Sequence, residues 1–258
     1  MISVGSYSDL PGLPSLILFS EYGNDRLKPV GWEQVLVIDT RGQYMLKRIR
    51  RVFSRIRHKN SPFPGSAKYW ERRYRGGGNS GDGSYGGLAE FKAETINSFV
   101  AENKIENVVE LGCGDGNQLG LMDVPQYTGY DVSETAVNMC VEMYADDSTK
   151  SFFHYFPDQY NGEPVAQLSL SLDIIFHLVE DGVFETYMRH LFQMSSEWAI
   201  VYSSNSEESD GEGVEHCRNR KFVDWVDENI SGWKLVNKIE NRYPKRSISD
   251  FYFYKRSA

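Results

Sequence analysis

The strongest chemical pattern in the chain is three alternate glycines flanked by acids: Glu110-Leu111-Gly112-Cys113-Gly114-Asp115-Gly116, with Asp131 19 positions after the first glycine. An apolar run at 108–111 leads into the glycines, which permit a tight turn and let a ligand approach the backbone closely. A carboxylate at the end of the next apolar run is placed to accept hydrogen bonds from ribose hydroxyls. Glu110 and Asp115 would repel a pyrophosphate at this turn and suit a ligand that carries positive charge. A second constellation follows the run at 168–172, where Asp173 precedes His177 by four residues. On a helix this spacing puts both on one face. A histidine near neutrality, oriented by an aspartate, takes a proton from a hydroxyl. His177 is therefore read as a general base or as a packing residue beside the ligand, and Asp173 as the group that orients ligand or substrate.

The ammonium and sulfonium of S-adenosylmethionine match the charge that the turn requires. Residues 110–116 resemble the first motif of class I S-adenosylmethionine-dependent methyltransferases, and Tyr127-Thr128-Gly129-Tyr130-Asp131-Val132-Ser133 resembles their second. The resemblance covers residues 69–254. It implies a Rossmann-like α/β fold with a mostly parallel seven-stranded sheet and helices on both faces. It also implies S-adenosyl-L-methionine as cofactor, held by Glu110, Gly112, Cys113, Gly114, Gly116, Asp131 and Val132. The loop after the fourth strand has no Asn/Asp-Pro-Pro-aromatic sequence, which disfavours adenine or glutamine amino groups as acceptors.

Around these residues helical periodicity covers 88–102, with Leu88, Phe91, Ile96, Phe99 and Val100 on the inner side. Strand is expected at 108–111, helix from the turn to 122, strand at 127–131 and helix at 133–144. Further strands are expected at 168–172, 198–202, 233–239 and 251–254, with helices at 183–194 and 221–229. Strand and helix alternate, as in a largely parallel sheet. His154 is expected to be an ordinary half-buried residue near the adenine side.

Residues 69–74 read as a helical turn, followed by a glycine-rich stretch at 76–87 that would make a mobile cover over bound ligands. Trp70 in the turn and Ser80 and Tyr85 in the stretch are the candidate cover or substrate residues; the aromatic rings either stack on a sugar or adenine or anchor the cover. This part resembles methyltransferases of bacterial and archaeal glycan biosynthesis clusters. That resemblance implies an oxygen of a sugar or glycan intermediate as acceptor; another small molecule, a lipid or secondary metabolite, or a non-catalytic cofactor-binding scaffold are the alternatives. Residues 207–220, with Arg218, either bind an anionic group such as a uronate or sugar phosphate or form a solvated loop.

Upstream, residues 1–44 show no persistent periodicity and are expected to be an extension without regular structure. Residues 45–65 combine a basic amphipathic helix with a linker, and 66–258 carry the methyltransferase domain. The cations of 45–59 suit an anionic membrane surface or an acidic partner, or simply a packing helix with a solvated face. The 258 residues carry 28 Lys and Arg against 36 Asp and Glu, a net charge of −8, which disfavours nucleic acid as partner. No run of 18 apolar residues exists, so no spanning helix is expected. Three cysteines, Cys113, Cys140 and Cys217, without close spacing, indicate neither a disulfide framework nor a metal cage, and a cytoplasmic chain is expected.

Overall fold

The computed structural model describes residues 63–207 and 215–257, and the backbone of two strands in a separate unit, residues 1–62. In that unit β1 (Ile2–Tyr7) pairs antiparallel with β2 (Leu16–Glu21), Ile2 opposite Glu21. Residues 1–44, expected to lack regular elements, thus contain a strand pair. The basic helix expected at 45–59 lies outside the described residues.

The second unit is built on α1 (Ser66–Arg75), α2 (Gly86–Asn103), β3 (Asn107–Leu111), β4 (Gln126–Asp131), α3 (Glu134–Met143), β5 (Lys150–His154), β6 (Ala166–Leu172), α4 (Asp181–Gln193), β7 (Ser195–Ser203), α5 (Phe222–Asn229), β8 (Trp233–Ile239) and β9 (Asp250–Arg256). Its sheet has the order β5-β4-β3-β6-β7-β9-β8, with β9 antiparallel to both neighbours and the other neighbouring pairs parallel. Successive residues of one strand feed opposite faces, as a period of two demands. Val108, Phe251 and Phe253 join α2's Phe91 and Ile96 on one side. Val109, Tyr252 and Tyr254 join α4's Met188 and Leu191 and α5's Val226 on the other. Helices therefore cover both faces, and this Rossmann-like architecture is the one expected. Among the described residues no helix is long and apolar enough to cross a membrane.

The strand order reverses beside β3, which pairs with β4 on one side and β6 on the other. Crevices at such a reversal, beyond the carboxyl ends of the strands, are where ligands bind in open α/β sheets. Leu111, Asp131 and Leu172 end these three strands.

The helix expected from the turn to 122 is absent. Gly112, Gly114 and Gly116 have φ of 98°, 59° and 78°, incompatible with a right-handed helix, and only a short 3-10 turn at Leu119–Leu121 follows. A strand not anticipated is β5; it lies at the sheet edge with alternately exposed residues, so its apolar signal is diluted.

Candidate functional site

Burial of the 108–111 run places the glycine turn at the end of a central strand. Gly112 and Cys113 N–H both donate to the Tyr130 carbonyl (2.7 and 3.1 Å), which ties the turn to the end of β4. At Gly112 a Cβ would stand 2.5 Å from Ile174 Cδ1, and the φ of 98° is one that side-chain-bearing residues rarely adopt, so the position favours glycine. Asp131 is then fixed through both oxygens: Gly114 N–H donates to Oδ2 at 2.9 Å and Ser133 N–H to Oδ1 at 2.8 Å. Burial pushes its carboxyl up to about 6, against these hydrogen bonds and the charge of His154. Glu110 points from the strand interior into the same region and accepts the Tyr127 hydroxyl at 2.6 Å. Burial pushes it up to about 7, with Tyr127 and Lys92 opposing and Asp131 adding to the rise.

Glu110, Gly112, Cys113, Gly114, Asp131 and Val132 line one cavity of about 100 Å³ together with Trp70, Ser80, Asp173 and His177. Gly116 is not among them. The space beside its Cα is filled by Cys140 Sγ and Tyr144, and it shapes the turn from behind. His154 ends β5, and its Nε2 lies 3.0 Å from the Val132 carbonyl.

The cover over this cavity is held by Asp115. Its Oδ2 accepts Ser80 N–H and the Tyr85 hydroxyl, each at 2.8 Å, while its own N–H donates to Ser80 Oγ at 3.0 Å. The sequence places Asp115 against a cationic ligand; its carboxylate is instead taken up by Ser80 and Tyr85 of the cover. Tyr85 does not line the cavity, and its hydroxyl anchors the cover. Trp70 does line it, with its ring edge-on to His177 at 4.8 Å.

Glu71, missed in the sequence, clamps α1 to α3. Its carboxylate accepts Ser133 Oγ at 2.6 Å, Thr135 Oγ1 at 2.8 Å and Thr135 N–H at 3.2 Å. Partial burial raises its carboxyl, but these bonds and Arg75 outweigh it and hold it down at about 2. A signal existed: Ser133 caps α3 without the acid three residues on that completes a capping box, since Ala136 stands there.

The expected Asp173–His177 pair does not form. Asp173 has a left-handed backbone (φ 60°), and the residues after it make a 3-10 turn, Ile175–His177, rather than an α-helix. Its carboxylate turns toward α2 and accepts Lys92 Nζ at 2.8 Å and Ser249 Oγ at 3.1 Å. Lys92 has a fully buried side chain, and the sequence held its signal: it lies on the same helical stripe as Leu88 and Ile96. His177 Nδ1 lies 3.1 Å from the His216 carbonyl. A carbonyl only accepts, so Nδ1 carries the proton and Nε2 the lone pair. Burial pushes His177 down to about 4, against the hydrogen bond to His216, and the ring is neutral at pH 7.

Arg218 lies away from the cofactor cavity. Its guanidinium pairs with Asp181 at 2.9 Å, and it lines a separate groove of about 810 Å³ with Arg220, Lys221 and Arg246. Between the two lies a cavity of about 250 Å³ that shares Trp70, Ser80, Asp173 and His177 with the first and Phe176 and Arg246 with the groove. Asp173 and His177 thus line both the cavity beside the glycine turn and the one that adjoins the groove. Asn205 Oδ1 accepts Val223 N–H at 3.1 Å at the start of α5.

No family model matches the chain, and no curated protein does. Solved structures do. The methyltransferase domain of a bacterial Hen1 superposes with a TM-score of 0.54 at 18% identity, covering 66% of this chain and 98% of that one. The N-methyltransferase NodS from Bradyrhizobium japonicum WM9, in complex with S-adenosyl-L-homocysteine, gives 0.57 at 12% identity over 75% and 100%. Magnesium protoporphyrin IX methyltransferase ChlM from Synechocystis PCC 6803, with bound S-adenosylmethionine, gives 0.55 at 14% identity over 77% and 100%. At these identities the likeness is one of fold: the chain has the Rossmann-like sheet of these methyltransferases.

Proposed function

We propose that the chain is an S-adenosylmethionine-dependent methyltransferase whose acceptor is a hydroxyl oxygen of a sugar or glycan intermediate. The observation that carries this reading is the convergence of Glu110, the glycine turn and Asp131 on one cavity at the reversal of strand order. These residues fit the cofactor: two carboxylates to receive ribose hydroxyls and offset positive charge, and bare backbone where a side chain would fill the space. NodS and ChlM, described with S-adenosyl-L-homocysteine and S-adenosylmethionine bound, agree with it. When bound, the cofactor supplies a methyl group already activated on a sulfonium.

What remains for the chain is to exclude water, align the acceptor and take its proton. Trp70 and Ser80 close the cavity from above. His177, through the Nε2 lone pair, is the proton acceptor, and Asp173, fixed by Lys92 and Ser249, orients the hydroxyl. The adjoining groove carries Lys221 and Arg246, together with Arg218 and Arg220 paired to Asp181, beside Glu207, Asp224 and Glu228, and its cations would receive a uronate or sugar phosphate. The resemblance of residues 69–86 to glycan-cluster enzymes supports the same choice, and the basic residues of 45–59 would hold the chain at an anionic membrane face.

A second reading, a nitrogen of a small molecule, is favoured by the low basicity of His177, since a neutral amine demands less of a base. The test is methyl transfer from S-adenosylmethionine to uronates and sugar phosphates, with small amines in parallel. Transfer to the sugars, reduced about 100-fold or more in His177→Ala, is expected. Transfer to amines alone moves the conclusion to the second reading, and cofactor binding without turnover anywhere rejects the enzyme.

A further inference from the structure

We infer that His177, His216 and Cys217 form a binding site for a thiophilic divalent cation, with Zn²⁺ as the matching ion. One ligand atom from each of the three lies within 4.8 Å of the others, and Cys217 Sγ stands 3.4 Å from His177 Nδ1. Zinc bonds of about 2.0–2.3 Å in a tetrahedron set ligand atoms about 3.3–3.8 Å apart. The His177–Cys217 pair already has this spacing, and no other pair needs to close by more than about 1.5 Å. His216 is stacked on Tyr69 at 4.4 Å, which holds its ring beside the site.

The ligand chemistry selects the ion. Arg73 faces the neighbouring cavity and opposes a cation, while Asp82 and Asp173 line that cavity too. A thiolate among the ligands offsets the arginine and disfavours magnesium and calcium, which take oxygen ligands. On binding, the Cys217 thiol proton passes to solvent, and the His177 proton moves from Nδ1 to Nε2. The hydrogen bond to the His216 carbonyl breaks as Nδ1 takes the metal. His177 Nε2 then donates, so a bound cation and proton acceptance at His177 exclude one another. The spacing in sequence conceals the site, because His177 reaches it from beyond β6 while the other two ligands precede α5.

The test is absorption spectroscopy of the chelator-treated full chain during titration with Co²⁺. The expected result is a thiolate-to-cobalt charge-transfer band in the near ultraviolet, with the intense visible bands of four-coordinate cobalt. Cys217→Ser should abolish the charge-transfer band, and His216→Ala should weaken cobalt binding about tenfold or more. No such band in the wild type, or a band that survives in Cys217→Ser, overturns the proposal. Neither S-adenosylmethionine nor an acceptor is needed for this readout, so its failure leaves the proposed activity standing. In turnover assays, Zn²⁺ should inhibit the wild type and spare Cys217→Ser, and equal inhibition of both also overturns it.

Discussion

Cofactor affinity should fall steeply as the pH drops through the titration of two buried carboxylates. In the ligand-free chain Glu110 titrates at about 7 and Asp131 at about 6, burial being the leading cause for both. Ribose hydroxyls and cationic groups are received by ionised carboxylates, so protons held below these values must leave on binding. Treated as independent, the two sites weaken binding by about 20-fold between about pH 8 and about pH 6. Glu110→Gln should leave a dependence of about twofold, and Asp131→Asn one of about tenfold, over the same range. Mutual repulsion of the two charges spreads the steps without changing their sign. Stability of the ligand-free chain runs the other way. Both groups bind protons more tightly folded than unfolded, so stability falls as pH rises from about 4 to about 7. The assay is titration calorimetry with S-adenosylhomocysteine at several pH values. The ligand's own amino group titrates alike against every variant, so comparing slopes removes it. A dissociation constant that is flat in the wild type, or as steep in Glu110→Gln as in the wild type, would refute the reasoning.

Lys92→Met strips the buried partner from Asp173 and should cost about 3–5 kcal/mol of stability, read from denaturant melts; a change under about 1 kcal/mol contradicts the pairing. Asp115→Ala removes the acceptor shared by Ser80 N–H and the Tyr85 hydroxyl. Cofactor binding should weaken about tenfold or more, with faster hydrogen exchange across 79–85. Glu71→Gln should cost about 1 kcal/mol near neutrality through the lost charge at the start of α3. Because Glu71 is held down at about 2, its contribution is present above the usual carboxylate range and fades as pH falls toward 2, where wild-type and variant melts should converge.

What the sequence disclosed follows from the range of the interactions involved. The glycine turn, β3, β4 and Asp131 were legible because their signals are local: an apolar run, a turn composition and a fixed spacing. The three positive φ values of the turn are not written in its composition alone, and only a 3-10 turn follows where a helix is expected. Asp173 and His177 looked like a pair at helical spacing, yet one left-handed residue sends the carboxylate to Lys92 instead. Glu71 acts across 62 residues on Ser133, a distance that no periodicity spans. Cys217 meets His177 across 40 residues for the same reason.

The central claim is that the cavity between the glycine turn and Asp131 holds the methyl donor. The most direct measurement is a crystal structure of the chain grown with S-adenosylhomocysteine. The ligand is expected there, with ribose hydroxyls within hydrogen-bonding distance of the Asp131 carboxylate and its sulfur directed toward Asp173 and His177. A ligand bound elsewhere, or ribose turned away from Asp131, would contradict it.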